Sequence, residues 1–186
     1  MTKSWEEKIQ EDFPFMKQTG NKDDNIYRRW GFEGIGDGWN EIIYNCCKQI
    51  SDAYKAAGIE QNEIDFVPLQ VKQKFAQLRF YYTYTDSSLN IGAIDFLGNG
   101  TTIRFLLEKE KFDSKKAELR RNIKNIVRDT EEKSKHTCEV CSKAGTIRKD
   151  LLWKMTLCDS CYHKRLKIYE ESKKKRANCN VEDYKE

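Results

Sequence analysis

Four of the seven cysteines fall into two pairs of the same form, Cys138-Glu-Val-Cys141 and Cys158-Asp-Ser-Cys161, separated by sixteen residues. A CxxC turn brings two thiolates to one side of a metal at about 2.3 Å each, and two such turns complete a tetrahedron. The pattern therefore predicts one structural zinc on Cys138, Cys141, Cys158 and Cys161. The competing readings are buried free thiols or a redox pair. A redox CxxC needs only one pair and sits at a strand-to-helix turn, so two pairs argue for metal. Four thiolates leave no open coordination position, and such a zinc stabilises structure without activating water. His136 and His163 flank the pairs and are expected beside the site rather than in it. Ser142 to Leu157 is long enough for a short hairpin, with Gly145 at a turn and Trp153 and Met155 over the metal. Cys46, Cys47 and Cys179 fit a helix core and a tail, and are assigned no chemistry.

Three other stretches carry residues able to bind. Between Lys72 and Tyr84, the cations Lys72, Lys74 and Arg79 interleave with Phe75, Phe80, Tyr81, Tyr82 and Tyr84. Cations pair with phosphate and aromatic faces stack on bases, so this strip suits nucleotides or single strands. A strand with one face in the core and one in water explains most of the same alternation. Glu33, Asp37 and Trp39 lie in the glycine-rich segment Trp30 to Trp39, which opens a helix whose N-terminal N–H groups attract anions. That loop lacks the GxxxxGK(S/T) lysine and carries a repelling Asp37, so a helix cap packed by Trp39 competes with a phosphate cradle. Lys164, Arg165, Lys167, Lys173, Lys174, Lys175 and Arg176 form a basic run beside the metal region, offset by Glu170 and Glu171. It reads as a nucleic-acid contact or as a solvated helix face. No catalytic constellation emerges: both histidines sit beside the cysteine pairs, and neither a helical metalloprotease motif nor a dinucleotide fingerprint is present. Glu33 and Asp37 are the one acidic pair available to an enzyme reading.

The elements that must position these residues follow from periodicity. Trp39, Ile42, Ile43, Cys46, Cys47, Ile50, Tyr54 and Ala57 recur at helical spacing between Asp37, a candidate cap, and Gly58, a candidate stop. Val67, Leu69 and Val71 alternate, as do Leu78, Phe80, Tyr82 and Tyr84 after a break at Lys72 to Ala76, predicting an antiparallel hairpin. Ile91 to Phe96 and Thr101 to Leu107 extend it to a meander of three or four strands, with Asn99-Gly100 suited to a tight type I′ turn. Phe112, Leu119, Ile123 and Ile126 mark one stripe of a charged helix ending near Lys135. Residues 1–28 show no sustained period and read as a leader draped over the fold by its aromatics.

Only 38% of the 186 residues are apolar and 34% are charged, yet nine Phe, nine Tyr and four Trp exceed what a disordered chain carries. The expectation is a small aromatic core with solvated helices. A net charge of +4 makes any basic surface local. No apolar run reaches the roughly 20 residues of a membrane span, so the expected protein is soluble, with no membrane partner.

The order Gly36-Asp37-Gly38-Trp39, Gln70-Val71-Lys72-Gln73-Lys74-Phe75, Leu78-Arg79-Phe80-Tyr81, Cys138-Glu-Val-Cys141, Gly145, Arg148, Trp153 and Thr156-Leu157-Cys158 resembles a widespread family of small uncharacterised proteins of bacteriophages and bacteria. The resemblance spans roughly residues 30–162. It implies a phage-type accessory protein acting in the host bacterial cytoplasm. Ala76 and Ser142 stand where that pattern has glycines.

The combined expectation is an α+β fold, a small antiparallel sheet packed by helices with a C-terminal four-cysteine zinc ribbon and basic helical tail. The chain divides into a leader (1–29), an α+β domain (30–135), a zinc ribbon (136–163) and the tail (164–186). The expected function is a non-enzymatic binding protein for nucleic acid or a nucleotide. A module that binds and inhibits a host bacterial protein, of anti-defence type, is the alternative. An enzyme using Glu33 and Asp37 is the least favoured.

Overall fold

A computed structural model describes residues 4–17, 32–86, 94–98, 101–105 and 114–182, with backbone alone for 32–33, 94–98, 101–105, 114 and 174–182. In chain order these hold helix α1 (Trp5–Asp12), strand β1 (Phe32–Glu33), helix α2 (Asn40–Ala56), strands β2 (Phe66–Lys74), β3 (Gln77–Tyr84), β4 (Ile94–Gly98) and β5 (Thr101–Phe105), helix α3 (Ser114–Ser134), strands β6 (Thr146–Arg148) and β7 (Met155–Leu157), and helix α4 (Asp159–Glu182). The architecture is α+β, as the sequence predicts, with four cysteines clustered near the C-terminal end. No helix among the described residues is long and apolar enough to cross a membrane.

Helix α2 forms where its apolar residues recur. Ile42, Ile43, Cys46, Cys47, Ile50 and Tyr54 are all buried, whereas Ala57, expected on the same stripe, is exposed. Gly58 ends the helix at φ +76, with its N–H on the Lys55 carbonyl and the Ile59 N–H on the Tyr54 carbonyl. This is a Schellman closure, which a residue without Cβ permits. Asp37 does not cap α2 with its side chain; a 3-10 turn, Asp37–Trp39, leads in, and the Asn40 N–H bonds the Asp37 carbonyl. The leader contains α1, which the absence of a long period concealed. Its start was legible as a capping box: the Ser4 Oγ accepts from the Glu7 N–H at 3.2 Å and Glu7 Oε2 accepts from the Ser4 N–H at 2.7 Å. Ile9, Phe13 and Met16 then enter the common core.

β2 and β3 pair antiparallel, as expected, but β2 runs on to Lys74 and the break is only a two-residue turn. The register slips between Pro68 and Gln70, leaving Leu69 as an extra residue. Proline donates no N–H and is tolerated at such a bulge. The slip changes which face each residue takes: Phe66 and Pro68 are buried before it, Val71 and Gln73 after it. Val67 and Leu69, expected with Val71 on one inward row, are therefore only half-buried. The turn residues Phe75 and Ala76 both adopt left-handed φ, at 55° and 63°. That is a type I′ geometry, costing an ordinary L-residue roughly 1–2 kcal/mol.

Among the described residues the meander does not form. β4 and β5 pair with each other in a separate two-stranded ribbon, with Gly98 opposite Thr101. Asn99-Gly100 is thus a two-residue connection lying outside the described residues. The third strand of the main sheet is β1, parallel to β2. On the other side, α3 occupies the place of a neighbour strand: Ser134 Oγ accepts from the Leu78 N–H at 2.9 Å, and Glu131 Oε1 from the Phe80 N–H at 2.8 Å. These are the N–H groups that an exposed edge leaves open. Leu119, Ile123 and Val127 of α3 close the core against α2 and the inner sheet face, with Ile126 half-buried beside them. Phe112 lies outside the described residues.

Candidate metal centre and the surfaces around it

The second cysteine pair opens α4, where the Cys158 carbonyl accepts the Tyr162 N–H at 2.9 Å. The first is a tight turn in which the Ser142 N–H bonds the Cys138 carbonyl at 3.0 Å. Ser142 takes φ 63°, in the left-handed region like Phe75 and Ala76. β6 and β7 form the expected short hairpin between the pairs. Gly145 serves as a close-approach point: a Cβ there would lie 2.9 Å from the Cys138 nitrogen.

The four sulfurs all lie within 4.8 Å of one another, with Cys141 to Cys158 at 3.6 Å and Cys141 to Cys161 at 3.5 Å. A disulfide requires about 2.05 Å. A tetrahedron with 2.3 Å arms has edges of ~3.8 Å, so this thiol cluster fits a metal ion and leaves no protein ligand missing. The Cys161 N–H lowers the Cys158 thiol to about 7, while burial raises Cys161 to about 12.

The centre is built into the body of the protein. Gly38 donates its N–H to the Glu139 carbonyl at 2.9 Å, and the Trp39 indole N–H reaches the Thr137 carbonyl at 2.8 Å. A Cβ on Gly36 would lie 2.0 Å from the Glu139 oxygen, and one on Gly38 2.2 Å from the Cys138 oxygen. The two glycines are thus the floor on which the first knuckle rests. This corrects one expectation: Trp39, fully buried, offers no face to a ligand. The Gly38 N–H is engaged by protein backbone, which favours a helix start packed by Trp39 over a phosphate cradle.

A second set of bonds clasps the hairpin tip. Thr156 Oγ1 donates to the Ala76 carbonyl at 2.7 Å, Gln73 Nε2 to the Lys154 carbonyl at 2.8 Å, and the Trp153 indole N–H to Gln73 Oε1 at 2.6 Å. Trp153, expected over the metal, is 60% exposed and directs its N–H to the hairpin. Gln73 and Thr156 were missed by sequence reasoning; a glutamine on the inward row of β2 was the available signal. Glu139, within the first knuckle, is buried with neither carboxylate oxygen in hydrogen-bond geometry. Burial pushes its carboxyl up to about 7, opposed by the nearby Gln73 amide and Arg165 charge.

The remaining expected binding residues divide. Lys72 stands opposite Arg79 in register, and Glu33 stands beside Lys72 in β1, its side chain outside the described residues. Since Val71 and Phe80 face the core, Lys72, Arg79 and Tyr81 take the outer sheet face. Lys72 Nζ lies 5.3 Å from the Tyr81 ring centroid and Lys74 Nζ 5.7 Å from that of Phe75. Arg79 turns toward α3, its guanidinium 3.7 Å from Glu131. Asp37 is elsewhere, exposed on a groove of about 260 Å³ with Ser4, Trp5, Glu6, Ile35 and Asn40. Lys164, Arg165, Lys167 and Lys173 are exposed on α4, while the side chains of Lys174, Lys175 and Arg176 lie outside the described residues. Arg148 anchors that helix, with its guanidinium 4.5 Å from the Tyr162 ring centroid and bonded to Asp159.

One charged cluster had no sequence signal. Asp65 accepts from Tyr54 Oη at 2.5 Å and from Arg120 at 2.8 Å; Arg120 also bonds Asp86 and lies 3.9 Å from the Tyr84 ring centroid. It ties α2, the hairpin and α3 at the end opposite the metal centre. Compared with protein-family models, curated proteins and solved structures, the chain matches none.

Proposed function

We propose that this chain is a non-enzymatic, zinc-stabilised binding protein for nucleic acid or a nucleotide, acting as a phage-type accessory protein in a bacterial cytoplasm. One arrangement carries the reading: the four-thiol ribbon is fixed against the hairpin and leads directly into a basic helix. From His163 to Lys173 every residue of α4 except Leu166 is exposed. A helix of 24 residues extends ~36 Å, long enough to run along several phosphates of a polyanion. Lys72 and Lys74 add positive charge on the outer sheet face. Zinc suits four thiolates in a tetrahedron, and its role is to hold the ribbon closed.

The test is native mass spectrometry of the purified protein, then titration with oligonucleotides and nucleotides at moderate salt. The reading requires one zinc per chain and low-micromolar binding that weakens as salt rises. Absence of binding to either ligand class refutes it. A protein partner is the second reading, favoured by the exposed Val140 (51%), Ile147 (37%) and Ile168 (56%) of the ribbon and α4. A stoichiometric co-purifying protein that survives nuclease and salt supports that reading instead.

A further inference from the structure

Bulky aromatic side chains at the surface need a reason, and two of them flank one glutamine. Gln73 is nearly buried, and its amide is used at both ends: the oxygen takes the Trp153 indole N–H and the nitrogen binds the Lys154 carbonyl. The Trp153 ring is thereby pinned through its edge while 60% of the residue stays exposed. Two residues beyond Gln73, just past the end of β2, Phe75 is 38% exposed at the first position of the left-handed turn, with φ 55°. Asparagine or glycine suits that position better. A phenylalanine held there against its backbone preference suggests that presentation of its ring is the purpose. Leu152, beside Trp153, is 79% exposed.

Two lysines stand beside the Phe75 ring. Lys154 Nζ lies 6.0 Å and Lys74 Nζ 5.7 Å from the Phe75 ring centroid. On the ribbon, Asp150 accepts from Tyr162, Asp159 holds Arg148 and Glu139 is buried. Fixed aromatic faces between lysines match a polymer with exposed π-faces and a regular negative backbone. A duplex hides its base faces, and a protein partner gains little from two flanking lysines.

We infer that Phe75 and Trp153 form a stacking platform for unpaired bases, with Lys74 and Lys154 contacting the phosphates on either side. The occupant is single-stranded nucleic acid. This rests on the nucleic-acid reading above and assigns it a location distinct from α4.

The experiment uses the full zinc-loaded chain and fluorescein-labelled dT12 and rU12, read by anisotropy, with a 12-base-pair duplex as competitor. Phe75→Asn removes the ring and suits the left-handed turn, so the fold is kept and thermal stability should hold or rise. Trp153→Ala removes the second face, and Trp153→Phe keeps one. Each ring deletion is expected to weaken single-strand binding about 5- to 150-fold, the equivalent of ~1–3 kcal/mol, with Trp153→Phe affected least. Lys154→Ala should lower the slope of log affinity against log salt by about 0.7. Unchanged affinity in both Phe75→Asn and Trp153→Ala overturns the platform while leaving binding through α4 intact. Equal affinity for duplex and single strand also overturns it. A wild-type chain that binds neither overturns the platform and the underlying reading together.

Discussion

Replacing Gly38 with alanine should loosen the metal centre from a position a hundred residues away in sequence. The new Cβ would lie 2.2 Å from the Cys138 carbonyl oxygen, 2.7 Å from the Glu139 carbonyl carbon and 2.8 Å from the Cys141 nitrogen. All three are backbone atoms, so no side-chain rotation relieves the contact, and the knuckle must retreat by roughly 1 Å to reach normal separations. Such overpacking costs about 1–3 kcal/mol. The Gly38 N–H bond to the Glu139 carbonyl, worth ~0.5–1.5 kcal/mol, is lost with it. Alanine regains ~0.4–1 kcal/mol by restricting the unfolded chain. The net is about 2–3 kcal/mol. Because the displaced peptide carries Cys138 and Cys141, the same energy should weaken metal binding about 30- to 150-fold. Urea denaturation of the metal-loaded protein and competition with a chelator measure the two effects. Asp37→Ala, at an exposed neighbour that meets no such contact, should change stability by less than ~0.5 kcal/mol. A Gly38→Ala protein with wild-type stability and metal affinity would refute the argument that the loop is the knuckle's floor.

Cys158→Ser should reduce bound metal from one equivalent to a small fraction by elemental analysis, and a chelator should lower the melting temperature of the wild type but not of this variant. Ser134→Ala leaves the buried Leu78 N–H without its acceptor and should cost about 1–3 kcal/mol in denaturant unfolding. Burial opposes ionisation of Asp86, but hydrogen bonds from Lys116 and Arg120 prevail and hold its carboxyl below the ordinary 3.8. A depressed carboxyl binds fewer protons folded than unfolded, so its stabilisation is present above 3.8 and is lost as pH falls through the folded value. Asp86→Asn should therefore flatten the acid limb of the stability curve below pH 4 and leave its shape at neutral pH unchanged, as followed by denaturation at stepped pH.

The parts legible in the sequence are those whose cause is local. α2 is fixed by its own apolar spacing and its glycine stop, and the two cysteine pairs by the reach of a three-bond turn. The β2–β3 pairing was also visible, but its faces were not, because a bulge at Leu69 alters parity without altering composition. Glu131 and Ser134 read as solvated residues of a charged helix, although they close the open edge of β3. The loop's docking onto the first knuckle was hidden for the same reason. The acceptor of the Gly38 N–H, the Glu139 carbonyl, lies about a hundred positions downstream. Asp65, Asp86 and Arg120 meet only through tertiary packing, 34 and 55 residues apart, and no periodicity announces such a contact.

The separation of the loop from its knuckle also dictates an order of events during synthesis. Trp39 and the Thr137 carbonyl are 98 residues apart, so at roughly 5–20 residues per second the first glycines wait about 5–20 s for the peptide that covers them. Until then α2 and the hairpin can collapse onto each other, but the hairpin tip has neither Thr156 nor Trp153 to clasp it. Cys161 is the last of the four clustered thiols to emerge, so the metal centre can close only after α2, the hairpin and α3 have been made. A chain deprived of its metal would keep a collapsed body with its ribbon unlatched, a form more open to proteases than the metal-bound protein.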